Sequence, residues 1–243
     1  MIHTAMNMTD HRQCEALSGC FRRKLCEQLM NQPGRPVGKG EFVYGLGDPA
    51  QSVFFLRRGF VKLTSLTEDG RELILRLHQA GEVFGDLCHC TVERREQAVA
   101  MEDSEIVELS FDEFVAHLQG SRSAMLLFLS NVAQQLSAAY EQIQTVSFSS
   151  TMERLVRTLA RLADEFGVPD GEWIRLTHYF RQDDLAQMIG ARREVVSTLL
   201  NQLRDQGLIT YARKDGLLLR RVDLERYLLS SEKSSASLKE AGF

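Results

Sequence analysis

Apolar and polar residues alternate in short bursts over the first half of the chain and recur at helical spacing over the second. Between Pro36 and Phe111 the segments 41–44, 53–56, 60–64, 72–78, 97–101 and 104–109 are rich in Val, Phe, Leu and Thr. They are separated by Gly45-Leu46-Gly47-Asp48, Arg58-Gly59, Glu68-Asp69-Gly70 and Ala80-Gly81. Turns recruit glycine for its positive φ, and Asp-Gly between alternating runs is a strong hairpin signal. Short strands at this spacing predict an antiparallel sandwich or barrel rather than βαβ units.

From 121 the period changes. Met125, Leu129, Val132, Leu136, Ala139, Ile143 and Val146 follow at steps of four and three, with Gln, Ser, Asn and Glu on the other faces. One helix packed on its own domain would also bury a single stripe. The narrow period of 3.5 favours a seam between two copies. Ser147 to Ser150 can cap a further helix over 152–166, which Gly167-Val168-Pro169-Asp170-Gly171 stops. A strand over 173–176, helices over 182–189 and 193–206 around Gly190-Ala191, and a hairpin of 208–213 with 217–221 complete the pattern. The tail from Ser230 is rich in Ser and Lys and is expected to be disordered.

The 182–206 pair has the form of a helix-turn-helix, and the hairpin behind it the form of a wing. Leu185, Ile189, Val196, Leu199, Leu200 and Leu203 would pack the two helices together. The second begins Arg192-Arg193-Glu194 and continues to Ser197 and Thr198. Polar residues are needed there, because only the first turns of such a helix reach base edges in the major groove. Arg193 could chelate guanine, Glu194 accept from cytosine, and Ser197 contact base or phosphate; Arg181, Arg213 and Lys214 would anchor phosphates. A charged, solvated helical hairpin is the alternative. Net charge is -4 over 243 residues, yet 175–221 holds nine Lys or Arg against five Asp or Glu. Local charge is what counts for nucleic acid, so DNA binding is the stronger reading.

Several motifs resemble the Crp/Fnr transcription regulators. Val37-Gly38-Lys39-Gly40-Glu41, Leu46-Gly47-Asp48, Arg58-Gly59-Phe60-Val61, Asp69-Gly70-Arg71-Glu72 and Gly81-Glu82-Val83-Phe84-Gly85-Asp86 look like that family's cyclic-nucleotide-binding β-roll. Arg193-Glu194-Val195-Val196-Ser197 looks like its recognition helix. The resemblance implies an α+β protein. Its expected parts are a segment with a short helix (1–35), an antiparallel jelly-roll-like sensor (36–120), a dimerisation helix (121–148), a winged helix-turn-helix (149–229) and the tail (230–243). It also implies a cytoplasmic homodimeric regulator, an activator in many members, on a palindromic double-stranded operator, with RNA polymerase as a further partner. A module that gates a partner protein instead of DNA is the second reading.

The resemblance also frames the signal. In cAMP-binding members a Gly-Glu pair and a later Arg-Ser pair hold ribose and phosphate, and a hydroxyl pair on the dimer helix meets adenine. The corresponding residues are read here as Gly85-Asp86, Arg95-Glu96 and Ala139-Tyr140. All three departures argue against cAMP. Cys88-His89-Cys90 stands in the same loop, where thiolate and imidazole could hold haem, an iron–sulfur cluster or another metal, or act as a thiol redox sensor. Small, partly buried thiols are the plainer reading. Cys14, Cys20 and Cys26 lack the tight grouping of iron–sulfur members. No apolar run approaches the ~18–20 residues of a membrane helix, and no Walker, Gly-x-Ser-x-Gly or zincin motif suggests an enzyme.

Overall fold

The computed structural model describes residues 32–85, 92–120, 122–148, 150–212 and 216–240, together with Leu29. The chain divides into two compact units, Met1–Tyr140 and Glu141–Phe243. The strands of the first are β1 (Arg35–Val37), β2 (Phe42–Tyr44), β3 (Ser52–Arg58), β4 (Phe60–Leu66), β5 (Glu72–Gln79), β6 (Val83–Phe84), β7 (Gln97–Ala100) and β8 (Ser104–Ser110). They form two antiparallel sheets ordered β1-β8-β3-β6 and β2-β7-β4-β5.

The unbroken apolar run Val53-Phe54-Phe55-Leu56 is explained by β3 being covered on both faces, where alternation of polar and apolar residues gives way. Phe54 and Leu56 join a core that draws on both sheets through Val43, Val61, Ala98 and Ile106. Val53 and Phe55 point the other way, to Val107, Leu109, Phe114 and Leu118. Gly59 makes the turn into β4 at φ +103°, and a Cβ there would stand 2.7 Å from Ser104 Cα, so only glycine lets the two backbones meet.

Phe114 and Leu118 come from α1 (Phe111–Gln119), a helix opened by a capping box: Ser110 Oγ accepts from Glu113 N and the Glu113 carboxylate from Ser110 N. The next helix, α2 (Arg122–Phe148), starts against this core. Ala124 is buried in it, Met125 and Phe128 pack on it, and Phe128 meets Phe114 edge to face at 5.3 Å. Further along, Leu126, Leu129, Val132, Leu136 and Tyr140 are exposed. The first seam residue, Met125, therefore serves its own domain, while Leu129, Val132, Leu136 and Ala139 face solvent. Ile143 and Val146 lie in the helix, outside the residues whose side chains are described.

The second unit contains α3 (Thr151–Phe166), β9 (Gly167–Asp170), β10 (Trp173–Leu176), α4 (Gln182–Ile189), α5 (Arg193–Asp205), β11 (Ile209–Ala212), β12 (Gly216–Leu219) and α6 (Arg221–Glu240). Its sheet runs β11-β12-β10-β9. Leu155, Leu159, Leu162 and Phe166 put one face of α3 in the core. Two expectations are corrected here. The segment 167–170 not only ends a helix but pairs with β10 from Trp173↔Asp170 to Leu176↔Gly167. The tail is helical to Glu240: no Gly or Pro interrupts 217–240, and Ser231 Oγ donates to Glu153 Oε1 at 2.6 Å. No helix among the described residues is long and apolar enough to cross a membrane.

Candidate nucleic-acid interface

The α4–α5 pair is fixed by backbone chemistry at each end. Asp184 is almost wholly buried, and its carboxylate accepts the Arg181 N–H at 2.9 Å, satisfying a donor at the start of α4. Asp183 and Asp184 both complement the positive end of the helix. Gly190 ends it at φ +62°, the left-handed conformation a residue with a Cβ resists, and so turns the chain toward α5. Arg154 on α3 donates through Nε to the Ile189 carbonyl at 3.1 Å, which ties the turn to the core. Val196, Leu200 and Leu203 bury one face of α5, with Leu185, Met188 and Ile189 buried on α4.

That burial decides which side chains of α5 face outward. At 100° per residue, Glu194, Thr198, Asn201 and Asp205 form one stripe opposite the buried row, and all four are exposed. Arg193 lies on one flank, its guanidinium 3.7 Å from Asp183. Ser197 is half-buried on the same flank, and Arg192 is exposed just before the first turn. Thr198 Oγ1 donates to the Glu194 carbonyl at 3.0 Å, leaving its methyl and an acceptor lone pair outward. Arg181 is exposed and shares the Asp184 carboxylate at 3.5 Å. Arg213 and Lys214 lie outside the described residues. Sequence reasoning missed Asn201, whose signal was its place seven residues after Glu194, two turns along the same stripe.

Charge is sorted more finely than the sequence count allowed. Arg220 bridges Glu172 at 2.8 Å and covers the Trp173 ring at 4.7 Å. Arg221 grips Asp164 at 2.7 Å and Glu225 at 2.9 Å, and the Asp164 hydrogen bond raises its already high pKa. These cations are committed to carboxylates. Arg192 and Arg204, at the two ends of α5, have no carboxylate partner among the described residues.

In the β-roll, the arginine that enters the fold is Arg94, 3% exposed, not Arg95, which is exposed. The Arg94 guanidinium lies 4.3 Å over the Tyr44 ring and 5.3 Å from that of Phe54, and donates to the Ser52 carbonyl. Gly85 makes room for it: a Cβ there would be 3.0 Å from Arg94 Nη1. Glu96 is half-buried and accepts from the Tyr44 hydroxyl at 3.3 Å, so acid and guanidinium share one ring. Ala139 and Tyr140 are exposed on α2. Asp86, Cys88, His89 and Cys90 lie outside the described residues, as do Cys14, Cys20 and Cys26. Among the described residues no cluster of His, Cys, Asp and Glu is placed to hold a metal ion.

Comparison with known proteins agrees with this division. Residues 35–121 match the model of the cyclic nucleotide-binding domain, and residues 153–227 that of the Crp-like helix-turn-helix domain. The chain is 30% identical to the global nitrogen regulator of Synechocystis sp. over 205 residues, 83% of this chain and 91% of that protein. It is 32% identical to electron transport regulator A of Shewanella oneidensis over 181 residues, 72% and 70% of the two chains. A CRP-family transcriptional regulator from Thermus thermophilus superposes with a TM-score of 0.65 at 25% identity, over 80% of this chain and 96% of that one.

Proposed function

This chain belongs to the Crp/Fnr family of transcription regulators and carries the family's DNA-binding helix-turn-helix; from that premise we propose that it acts as a cytoplasmic homodimer, reads a palindromic site with α5, and answers a signal other than cAMP at its β-roll. The observation that carries the DNA reading is the outward stripe of α5, polar throughout and flanked by Arg192 and Arg204, which have no carboxylate partner among the described residues, while neighbouring arginines are held by acids. In the major groove Arg193 chelates a guanine, Glu194 accepts from cytosine N4, and Ser197 and Thr198 meet base or phosphate. Arg181, Arg213 and Lys214 hold the backbone and set register.

Leu129, Val132, Leu136 and Ala139 support the dimer, because heptad spacing with exposed apolar side chains fits a second copy of the same helix. Two-fold symmetry then sets half-site centres about 10–10.5 bp apart, or a multiple of that. The signal shifts the population of dimer packings and so the spacing of the two recognition helices. Against cAMP stand Ala139 and Tyr140, in place of the hydroxyl pair that meets adenine in cAMP-binding members. With Arg94 as the buried arginine, the residue that follows it is Arg95, so Glu96 no longer takes the place of the phosphate-binding Ser. Arg94, the buried cation, leaves an anionic signal of another shape open. RNA polymerase is the further partner that family resemblance supplies.

The test is selection of duplexes from a randomised pool by the full-length protein, followed by binding at several salt concentrations. An enriched palindrome, with affinity falling at a log–log slope of about -0.9 per phosphate neutralised, is expected. A pool without enrichment, or a salt-insensitive complex with a partner protein, would replace this reading with the protein-gating one.

A further inference from the structure

Two tyrosines stand beside the wing, outside the recognition helix. Tyr179 lies in the segment 177–181 that leads from β10 into α4, and Tyr211 lies on β11 opposite Leu217. Ile209, Leu217 and Leu219, which share Tyr211's face of the hairpin, are buried. Tyr211 is the residue where that apolar row reaches solvent: it is 48% exposed, and Tyr179 is 65% exposed. Among the described residues neither hydroxyl has a hydrogen-bond partner.

Tyr179 lies against the turn end of the wing hairpin, beside Gly216, the residue next to the Leu217 that faces Tyr211. A Cβ on Gly216 would stand 4.0 Å from Tyr179 Cδ2. Burial raises the Tyr211 pKa, opposed by the Arg204 charge and reinforced by Tyr179. Arg181 follows Tyr179 by two residues. This side of the unit thus presents two exposed phenol hydroxyls together with exposed arginines on α5 and at the start of α4. Leu or Phe would serve packing at the rim equally well; a phenol adds a hydroxyl able to donate a hydrogen bond. The complementary ligand carries negative charge and close-set oxygen acceptors.

We infer that Tyr179 and Tyr211 form a paired backbone contact, donating their hydroxyls to phosphodiester oxygens of the DNA whose bases α5 reads. The inference rests on the DNA-binding reading and extends it to residues outside the recognition helix. Phosphate contacts fix register and orientation and carry no sequence information of their own. Being neutral, these donors also displace no condensed cations, so their contribution does not vary with salt.

The test uses the full-length protein, a duplex recovered from the randomised pool, and a random-sequence duplex of equal length. Tyr179→Phe and Tyr211→Phe should each weaken binding about tenfold on both duplexes, with the salt slope unchanged. Arg181→Ala, by contrast, should lower the slope by about 0.9. Matching thermal melts establish that the Phe variants are folded. Unaltered affinity in the double Phe variant would overturn the inference, and so would a loss confined to the selected duplex, which would make the tyrosines base readers. Weak salt dependence in the unmodified protein would instead overturn the DNA reading itself.

Discussion

Single positions decide both the chemistry and the backbone of this molecule. Glu194 opens the exposed stripe of α5 and accepts best from a cytosine amino group, so Glu194→Ala should relax preference at one position per half-site by about 1–3 kcal/mol. Repeating the randomised selection with the variant reads this out, and an identical consensus would remove Glu194 from the reading set. Gly59 is the backbone counterpart. An alanine there takes φ +103° and drives its methyl into Ser104, so Gly59→Ala should lower unfolding free energy by more than about 2 kcal/mol in urea titration. The strand-breaking Arg58-Gly59 step was legible in the sequence as a turn; the clash was not, because Ser104 is distant in the chain. Arg94 and Arg95 were indistinguishable for a similar reason. They are adjacent in an irregular segment with no periodicity to orient them, and only packing against Tyr44 and Gly85 separates the buried one from the exposed one.

Elements announced by long periodic patterns were readable, and short or context-made ones were not. The 3.6-period stretches that become α3, α4 and α5 and the Gly-bounded runs that become β3, β4 and β5 differ from the sequence reading only at their ends. β1 and β6, at three and two residues, carry too few positions for any period. α1 carries a capping box in Ser110-x-x-Glu113, yet nine residues that put only Phe114 and Leu118 in the core are too short a stretch to show a helical period in the sequence. The second box, Ser150 with Glu153, has a measurable consequence. Hydrogen bonds from Ser231 and then from Ser150 hold the Glu153 carboxyl below its usual 4.5. A depressed folded-state pKa contributes stability above the unfolded value, lost as pH falls through the folded one. Stability should therefore decline below pH 4.5 in part through this group, and Glu153→Gln should flatten that decline in denaturant titrations across pH 3–6. Ser150→Ala should cost about 1 kcal/mol at neutral pH. Ser231 also accounts for the failed expectation of a disordered tail: its composition reads as polar and unpatterned, and its docking to Glu153 is a tertiary contact.

At the scale of the whole molecule the question is what covers the apolar stripe of α2. Leu129 and Leu136 are each more than half exposed, and removing one leucine from water is worth about 1.5–3 kcal/mol. A symmetric pair of helices would bury every such residue twice, which makes the proposed dimer sensitive to one substitution. Leu136→Glu places two like charges across the seam and removes two apolar contacts, while Leu136 takes no part in the β-roll cores. The variant should keep its fold by circular dichroism and sediment as a monomer at micromolar concentration. DNA binding should follow in a specific way. A dimer spans two half-sites and neutralises the phosphates of both, so the monomer should retain about half the log–log salt slope and lose affinity for the palindrome far more than for one half-site. A Leu136→Glu protein that still sediments as a dimer would move the association surface off α2. A true monomer that binds the palindrome as tightly as before would detach dimerisation from DNA recognition, and with it the proposed route from a signal at the roll to the spacing of the recognition helices.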